Sequence, residues 1–424
     1  MELERAIVVG LDTKKPSPGE LSAQESLREL RDLVEAAGAC VVREFLQKRE
    51  AVDRALYIGK GLAGDLAQFV EAEQIDLAVF DTELSGTQLR NLEEILQCKI
   101  LDRTGIILDI FAQRAKSKEG KIQVELAQLE YLLPRLVGKG TELSRLAGGI
   151  GTRGPGESKL ERDRRHIKRR IADLKRQLAQ VSKQRQVMKA NRSLSLVTLV
   201  GYTNAGKSTL RYRLLEVAGG LQVDLTKEDA GTNQLFATLD STVRGIELPN
   251  GRRILLADTV GFIQKLPHQL VSAFKATLEE VQEADLLLHV VDGTSPHVEE
   301  QVQAVEQVLG ELDVLDKPVV IVMNKMDLLP EGMIPYRHPQ HPVVHLSAKT
   351  GEGIDRLLAM LAEMLGTAGR RVQLLLPHEE SRLLGELFRL GRVQEIVYQE
   401  NGIRLTAEVP DSLYARLHPY RCFH

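Results

Sequence analysis

The chain has 424 residues, 43% of them hydrophobic and 27% charged, with a formal net charge of −3. That length exceeds one ordinary core, so two to four domains are expected, and the composition is that of a globular protein rather than a fibrous or disordered one. There is no run of 18 apolar residues, which argues against a membrane-spanning helix. The opening MELERAIVVGLD has no basic flank, long apolar region or cleavage site, so it does not read as a signal peptide. Cys40, Cys98 and Cys422 are scattered and odd in number. They read as reduced thiols of a cytoplasmic protein, without the spacing of a zinc site.

From residue 1 to about 115 strand and helix patterns alternate. RAIVVGLD, GACVVREF and DLAVFD read as strands, while SAQESLRELRDLVEAA and SGTQLRNLEEILQ carry apolar residues at helical spacing. Ser22 and Ser85 are candidate N-caps, with Glu25 and Gln88 three residues on to close capping boxes. This predicts a small, mostly parallel N-terminal α/β domain over 1–115. GKGLAG, 59–64, is a literal G-x-G-x-x-G after an apparent strand, and Asp81 ends the next strand about 20 residues on. A dinucleotide site, a phosphate or RNA contact through Lys60, and a plain structural turn all fit it.

Over 116–192 strand signals vanish. GKIQVELAQLEYLLPRL and the stretch from Glu157 to Ala190 predict two long helices, separated by GGIGTRGPG. That turn cannot continue a helix, so an antiparallel helical hairpin is expected. The second helix is strongly basic: thirteen Lys/Arg against three acids between Ser158 and Arg192. Leu160, Ile167, Ile171, Leu174, Leu178 and Val181 form an apolar stripe for the first helix. The charges are thereby left on the outer face, either as a footprint for phosphate backbones or as an ordinary solvated surface.

Alternation returns over 193–368. LSLVTLVG, RRILLAD, DLLLHVVD, KPVVIVMN and HPVVHLS are near-continuous apolar runs that suit buried parallel strands with flanking helices. From 369 to 424, VQLLLP, the helix HEESRLLGELFRL and two alternating runs joined by ENG predict a small C-terminal α+β domain with a hairpin.

The chemistry-bearing motifs fall in the third region. GYTNAGKST (Gly201, Tyr202, Thr203, Asn204, Ala205, Gly206, Lys207, Ser208, Thr209) matches a phosphate-binding loop between strand and helix. Its backbone amides cradle phosphates. Lys207 reaches the β- and γ-phosphates, and Ser208 offers a hydroxyl to Mg²⁺. DTVG (Asp258, Thr259, Val260, Gly261) places an acid toward Mg²⁺ and an amide toward the γ-phosphate. In NKMD, Asn324 and Lys325 flank the base. Asp327 can accept from N1–H and the exocyclic amine of guanine, a pair that adenine lacks. SAK (Ser347, Ala348, Lys349) matches the loop whose backbone meets the guanine O6. Within FATLDSTVR, Thr238 is the candidate switch threonine and a third metal ligand with Ser208 and Asp258. Lys207, Thr238 and Gly261 are the candidate catalytic groups. Together these motifs predict a P-loop GTPase domain with GTP as substrate and Mg²⁺ as cofactor. The position that often carries a water-orienting glutamine is Phe262.

With those residues, and with YIGKG, RTGIILDIFAQRAKSKEGKIQVELAQLEYLLPRL, GGIGTRGPGESKLERDRR, LFATLD and DTVGFIQKLPHQLV, the chain resembles the HflX-family GTPases over nearly its whole length. The resemblance implies binding to the large (50S) ribosomal subunit and its RNA, GTP turnover stimulated there, and splitting or rescue of stalled ribosomes under stress. It implies that the hairpin approaches ribosomal RNA; Arg153, Arg164, Arg165, Lys168 and Arg169 are the candidate contacts. A cytoplasmic monomer is expected, with loose membrane association left open. Asn204 resembles a K⁺-coordinating asparagine, so K⁺ is a candidate helper. Gln264 is a weaker candidate for the missing glutamine, and trans-activation by the ribosome is favoured. Departures from the family pattern are Arg211-Tyr212 where Phe-Asn is usual, a longer stretch from Glu216 to Gln234, and Ser241 where proline is common. None of them is expected to touch the phosphate-binding residues. Two other readings stay open: a GTP-dependent switch for a protein partner, and a nucleotide-driven RNA remodeller that would depend on Lys60.

Overall fold

The computed structural model describes residues 3–13, 22–136, 155–189, 194–219, 236, 242–263, 280–329, 336–365, 370–390, 392–399, 401–409, 411–414 and 416–422. Thr238, Arg153, Ser241, Gln264 and the glycine-rich turn up to residue 154 lie outside them.

The first sheet is parallel, in the order β2-β1-β3-β4, with β1 Arg5–Thr13, β2 Cys40–Arg49, β3 Leu77–Phe80 and β4 Lys99–Asp102. Successive residues of a strand face opposite sides, and both sides are covered here. Ala6 and Val8 pack with Leu27, Leu30 and Ile107, whereas Ile7 and Val9 pack with Leu66, Val70 and Leu92. That double burial is why β1 reads as an unbroken apolar run. The covering helices are α1 Ala23–Ala36, α2 Lys60–Glu73, α3 Gly86–Leu96 and α4 Arg103–Arg114. Both expected capping boxes are present, Ser22 with Glu25 and Ser85 with Gln88. The stretch before GKGLAG is not a strand: Tyr57 makes an isolated bridge with Asp53 four residues back. β4 and α4 had drawn no expectation, because β4 is four residues long and α4 is apolar nearly all round.

Helices α5 Lys118–Arg135 and α6 Pro155–Lys189 pack through Ile122, Leu126 and Leu129 against Ile171, Leu174 and Leu178. Glu125–Arg170 (2.7 Å) and Glu130–Lys175 (2.8 Å) pair beside that seam.

The second sheet has the order β10-β9-β8-β5-β7-β6, with β5 Leu196–Gly201, β6 Thr242–Glu247, β7 Arg253–Asp258, β8 Leu286–Asp292, β9 Val319–Asn324 and β10 Val343–His345. All pairs are parallel except β6 with β7. Helices α7 Lys207–Ala218, α8 Val298–Glu311 and α9 Ile354–Met364 flank it. Strand order reverses at β5, and the crevice at such a point is where α/β sheets bind ligands. A third sheet, β11 Arg370–Leu376, β13 Gly402–Val409 and β12 Arg392–Gln399, is antiparallel. Asn401-Gly402 turns the expected hairpin, and Leu387 of α10 Ser381–Leu390 joins its core. Among the described residues no helix is long and apolar enough to cross a membrane.

Candidate functional site

The loop after β5 wraps the N-terminus of α7. Asn204 (φ 60°) and Gly206 (φ 93°) are both left-handed, the alternation that turns successive amides inward into an anion-binding nest. At Gly206 a Cβ would stand 2.2 Å from Asn324 Nδ2, so only glycine fits that approach. Lys207 is buried, and its Nζ donates to the carbonyls of Gly201 (2.9 Å) and Tyr202 (2.7 Å). Burial pushes this ammonium down to about 8, with Asp258 pulling the other way.

At the end of β7 the carboxylate of Asp258 is fully buried, and its Oδ2 accepts from Ser208 Oγ at 3.2 Å. A hydroxyl and a carboxylate facing each other form a hard-oxygen set of the kind Mg²⁺ takes, so these two residues fit the expected ion. Thr259 is turned away, its hydroxyl donating to the Leu199 carbonyl at 2.7 Å, so its own part is to hold the strand end. A Cβ on Gly261 would lie 2.9 Å from Thr203 Cγ2 and 3.0 Å from Lys207 Nζ, inside the phosphate pocket.

The backbone of Phe262 is bonded to the phosphate loop, while its side chain turns into the core. Its N–H donates to Gly201 O (3.0 Å) and its carbonyl accepts from Thr203 N (2.8 Å), which zips the segment to the loop. Its ring is 3% exposed, in a core with Val200, Leu287 and Val291. The side chain at this position thus anchors the segment in the sheet's second core.

The base-reading elements are tied to the phosphate loop by one side chain. Asn324 Nδ2 donates to Ala205 O, and Oδ1 accepts from Ala348 N, both at 2.9 Å. Lys325 (φ 64°) pairs with Asp292 Oδ2 at 2.7 Å. Asp327 is exposed on the short 3₁₀ turn Met326–Leu328, open to a ligand. Ser347 is fully buried and its Oγ accepts from Thr350 N, so it shapes the loop from within. Arg213 of α7 donates to the carbonyls of Ala348 (3.2 Å) and Lys349 (2.6 Å).

Two of these neighbours, Asp292 and Arg213, were not read from the sequence. Asp292 carries a signal, since it closes a buried strand as Asp258 does. Arg213 carries none, because its acceptors are over a hundred residues away. Arg211 corrects an expectation: it does touch the site. Its Nε lies 3.7 Å from Asp258 Oδ2, and its Nη1 donates to Thr242 Oγ1.

The N-terminal sheet's neighbours also reach the site. Tyr202 donates its hydroxyl to Glu29 of α1, which is paired with the buried Arg103; Arg103 also binds Asp81 (2.7 Å). Ser26 Oγ donates to the same Asp81 carboxylate at 2.6 Å. With Asp81 committed to Arg103 and Ser26, and no strand ahead of GKGLAG, the dinucleotide reading loses both its supports. Phe236 stacks edge-on against Phe111 of α4 (4.7 Å), and Ile263 lies in the same core. Arg164, Arg165, Lys168 and Arg169 are exposed along α6. Glu306, His338 and His341 bring three donor atoms within 4.8 Å of one another. The two rings are stacked with planes 17° apart, His338 Nδ1 accepts two backbone N–H groups, and its Nε2 lies 3.1 Å from Glu306 Oε1.

A phosphate nest, an acid–hydroxyl pair and an N-K-x-D turn, cross-braced at the switch point of a parallel sheet, define a P-loop guanine-nucleotide hydrolase. Residues 24–112 match the family described as GTP-binding GTPase N-terminal, 114–192 the GTP-binding GTPase middle region, and 196–325 the 50S ribosome-binding GTPase. The chain is 48% identical over 417 residues to GTPase HflX of Caldanaerobacter subterraneus subsp. tengcongensis, covering 98% of this chain and 93% of that one. It is 43% identical over 400 residues to GTPase HflX of Escherichia coli, covering 93% and 92%. The crystal structure of SsGBP with GDP is similar at 25% identity, 86% and 99% coverage and a TM-score of 0.48. The chain belongs to the HflX family of GTPases; it binds GTP and GDP and hydrolyses GTP.

Proposed function

We propose that this GTPase acts on the large ribosomal subunit, converting GTP to GDP and phosphate there and splitting or rescuing stalled ribosomes under stress. The observation that carries the reading is the 35-residue helix α6, which lays Arg164, Arg165, Lys168 and Arg169 on an open face while its apolar side is used up against α5. Such a face suits RNA phosphates and makes binding salt-sensitive. Arg153 would extend it. The name of the matched family over 196–325 and the resemblance to HflX relatives support the same partner.

In this reading four units (1–115, 116–192, 193–368 and 369–424) form a cytoplasmic monomer. Gly201 to Thr209 hold the phosphates. Asp327, with Asn324, Lys325 and the Ser347–Lys349 loop, reads guanine. Ser208, Asp258 and Thr238 would hold Mg²⁺, which when bound neutralises charge between the β- and γ-phosphates. Lys207 steadies the developing negative charge, and the Gly261 amide meets the γ-phosphate. Since the Phe262 ring is in the core, the group that orients water comes from the ribosome, with K⁺ at the exposed Asn204 as a helper.

The test is GTP turnover, alone and with purified large subunits, in K⁺ and in Na⁺ buffer. Slow intrinsic turnover, strongly raised by subunits and weakened by salt, is expected. Turnover that subunits leave unchanged would overturn the ribosomal reading.

A further inference from the structure

Arg211 lies one turn beyond Lys207 on the face of α7 that meets the sheet, and is 5% exposed. A guanidinium in such a place must be compensated. Two of its contacts are informative. One is Asp258, whose Oδ2 is 3.7 Å from Nε and also receives the Ser208 hydroxyl. The other is Thr242, whose hydroxyl accepts from Nη1. Thr242 opens β6, four residues after Thr238. Arg211 thus joins the acid at the end of β7 to the root of the segment that carries the candidate switch threonine.

We propose that Arg211 is a positioning residue that supplies part of the positive charge otherwise expected from Mg²⁺. A permanent cation beside Asp258 keeps that carboxylate aimed without a metal. The same cation reduces the field that the carboxylate offers to an incoming Mg²⁺. The consequence is a nucleotide site that holds GDP well at low Mg²⁺ and takes up Mg²⁺ weakly. The inference rests on Ser208 and Asp258 being the metal-side residues.

The experiment measures affinity of the full-length protein for a fluorescent GDP analogue, from excess EDTA to millimolar Mg²⁺, with melting temperature followed in parallel. Wild type is expected to lose affinity in EDTA measurably, but less than Arg211→Gln does. In Arg211→Gln the half-saturating Mg²⁺ falls by about 5- to 20-fold, and the loss of affinity in EDTA grows by a similar factor. The double variant Arg211→Phe, Tyr212→Asn restores the pair expected from the family pattern; it serves if Arg211→Gln does not fold, and the same shift is expected. A Mg²⁺ midpoint within twofold of wild type in a folded variant would overturn the inference. Asp258→Asn separates the two readings. If wild type and Asp258→Asn respond to Mg²⁺ alike, the metal-side assignment fails and takes the inference with it. If Asp258→Asn weakens Mg²⁺ and the Arg211 variants do not shift the midpoint, only the inference fails.

Discussion

At the scale of single residues, Phe262 separates anchoring from chemistry. Its ring fills part of a core, so Phe262→Ala leaves a cavity, and such truncations cost about 3–5 kcal/mol. The expected outcome is a clear fall in melting temperature together with intrinsic GTP turnover within a few-fold of wild type at a temperature where the variant is folded. A large loss of intrinsic turnover in folded Phe262→Ala would show that the ring takes part in hydrolysis. Phe262→Gln tests the same point from the other side. A glutamine put into that core is expected to destabilise the protein without raising turnover, because the side chain at this position points into the core with Val200, Leu287 and Val291. The motifs around this residue were legible because each is a local string whose chemistry depends on spacing: a nest, an acid at a strand end, a turn reading a base. The braces were not. Arg213 and Ala348 are 135 residues apart, and Tyr202 and Glu29 are 173 apart. Nothing in local spacing encodes such a pair; only the folded sheet brings its members together.

At the scale of elements, β8 carries a charge-capable residue where its sequence pattern predicts only apolar ones. His289 sits among buried residues of that strand, 1% exposed, and its Nδ1 has no hydrogen-bond partner. Burial, and then the nearby Lys207, His338 and His341, push its ring down to about 3. The unfolded chain binds this proton near pH 6.5, whereas the folded protein binds it only near 3. Between those values protonation therefore favours unfolding, and stability falls as the pH drops. One such group contributes at most about 1.4 kcal/mol per pH unit. His289→Leu should flatten the loss of stability between pH 6 and pH 4, measured by urea unfolding at each pH. An unchanged slope would assign the acid sensitivity to other groups. The strand itself was legible as an apolar run, DLLLHVVD, although the burial of its histidine was not. The capping boxes at Ser22 and Ser85 are formed by residues three apart and were visible in the sequence. The short β4 and β6 were missed because pairing with their neighbours, rather than their own pattern, makes them strands.

At the scale of the whole molecule, the N-terminal sheet and the nucleotide site share contacts at three places, one in the phosphate loop and two beside the segments that switch in GTPases. Tyr202 in the phosphate loop is bonded to Glu29, Phe236 packs on Phe111, and Ile263 lies in the core built by α1, α4 and β1. Glu29 is held in turn by Arg103, one of the largest fully buried side chains, which also binds Asp81. A conformational change that reorders the segments around 236 and 263 must therefore break packing with the N-terminal unit or carry that unit along. Ligands shift such equilibria only by their different affinities for the two arrangements. Phe111→Ala removes packing that one arrangement enjoys, and Tyr202→Phe removes a hydrogen bond to a charged group, worth about 1.5–3 kcal/mol. Both variants are expected to change the ratio of GTP to GDP affinity by several-fold while leaving guanine selectivity over adenine intact, since Asp327 and the Ser347–Lys349 loop are untouched. Stopped-flow release of fluorescent GDP and of a non-hydrolysable GTP analogue reads this directly. If both nucleotides leave each variant at wild-type rates, the contacts are passive and the N-terminal unit does not sense the bound nucleotide. If only the GTP-to-GDP ratio moves, the N-terminal unit is coupled to the state of the switches. That coupling is what a GTPase would need if a partner bound to its outer domains were to set the moment of hydrolysis.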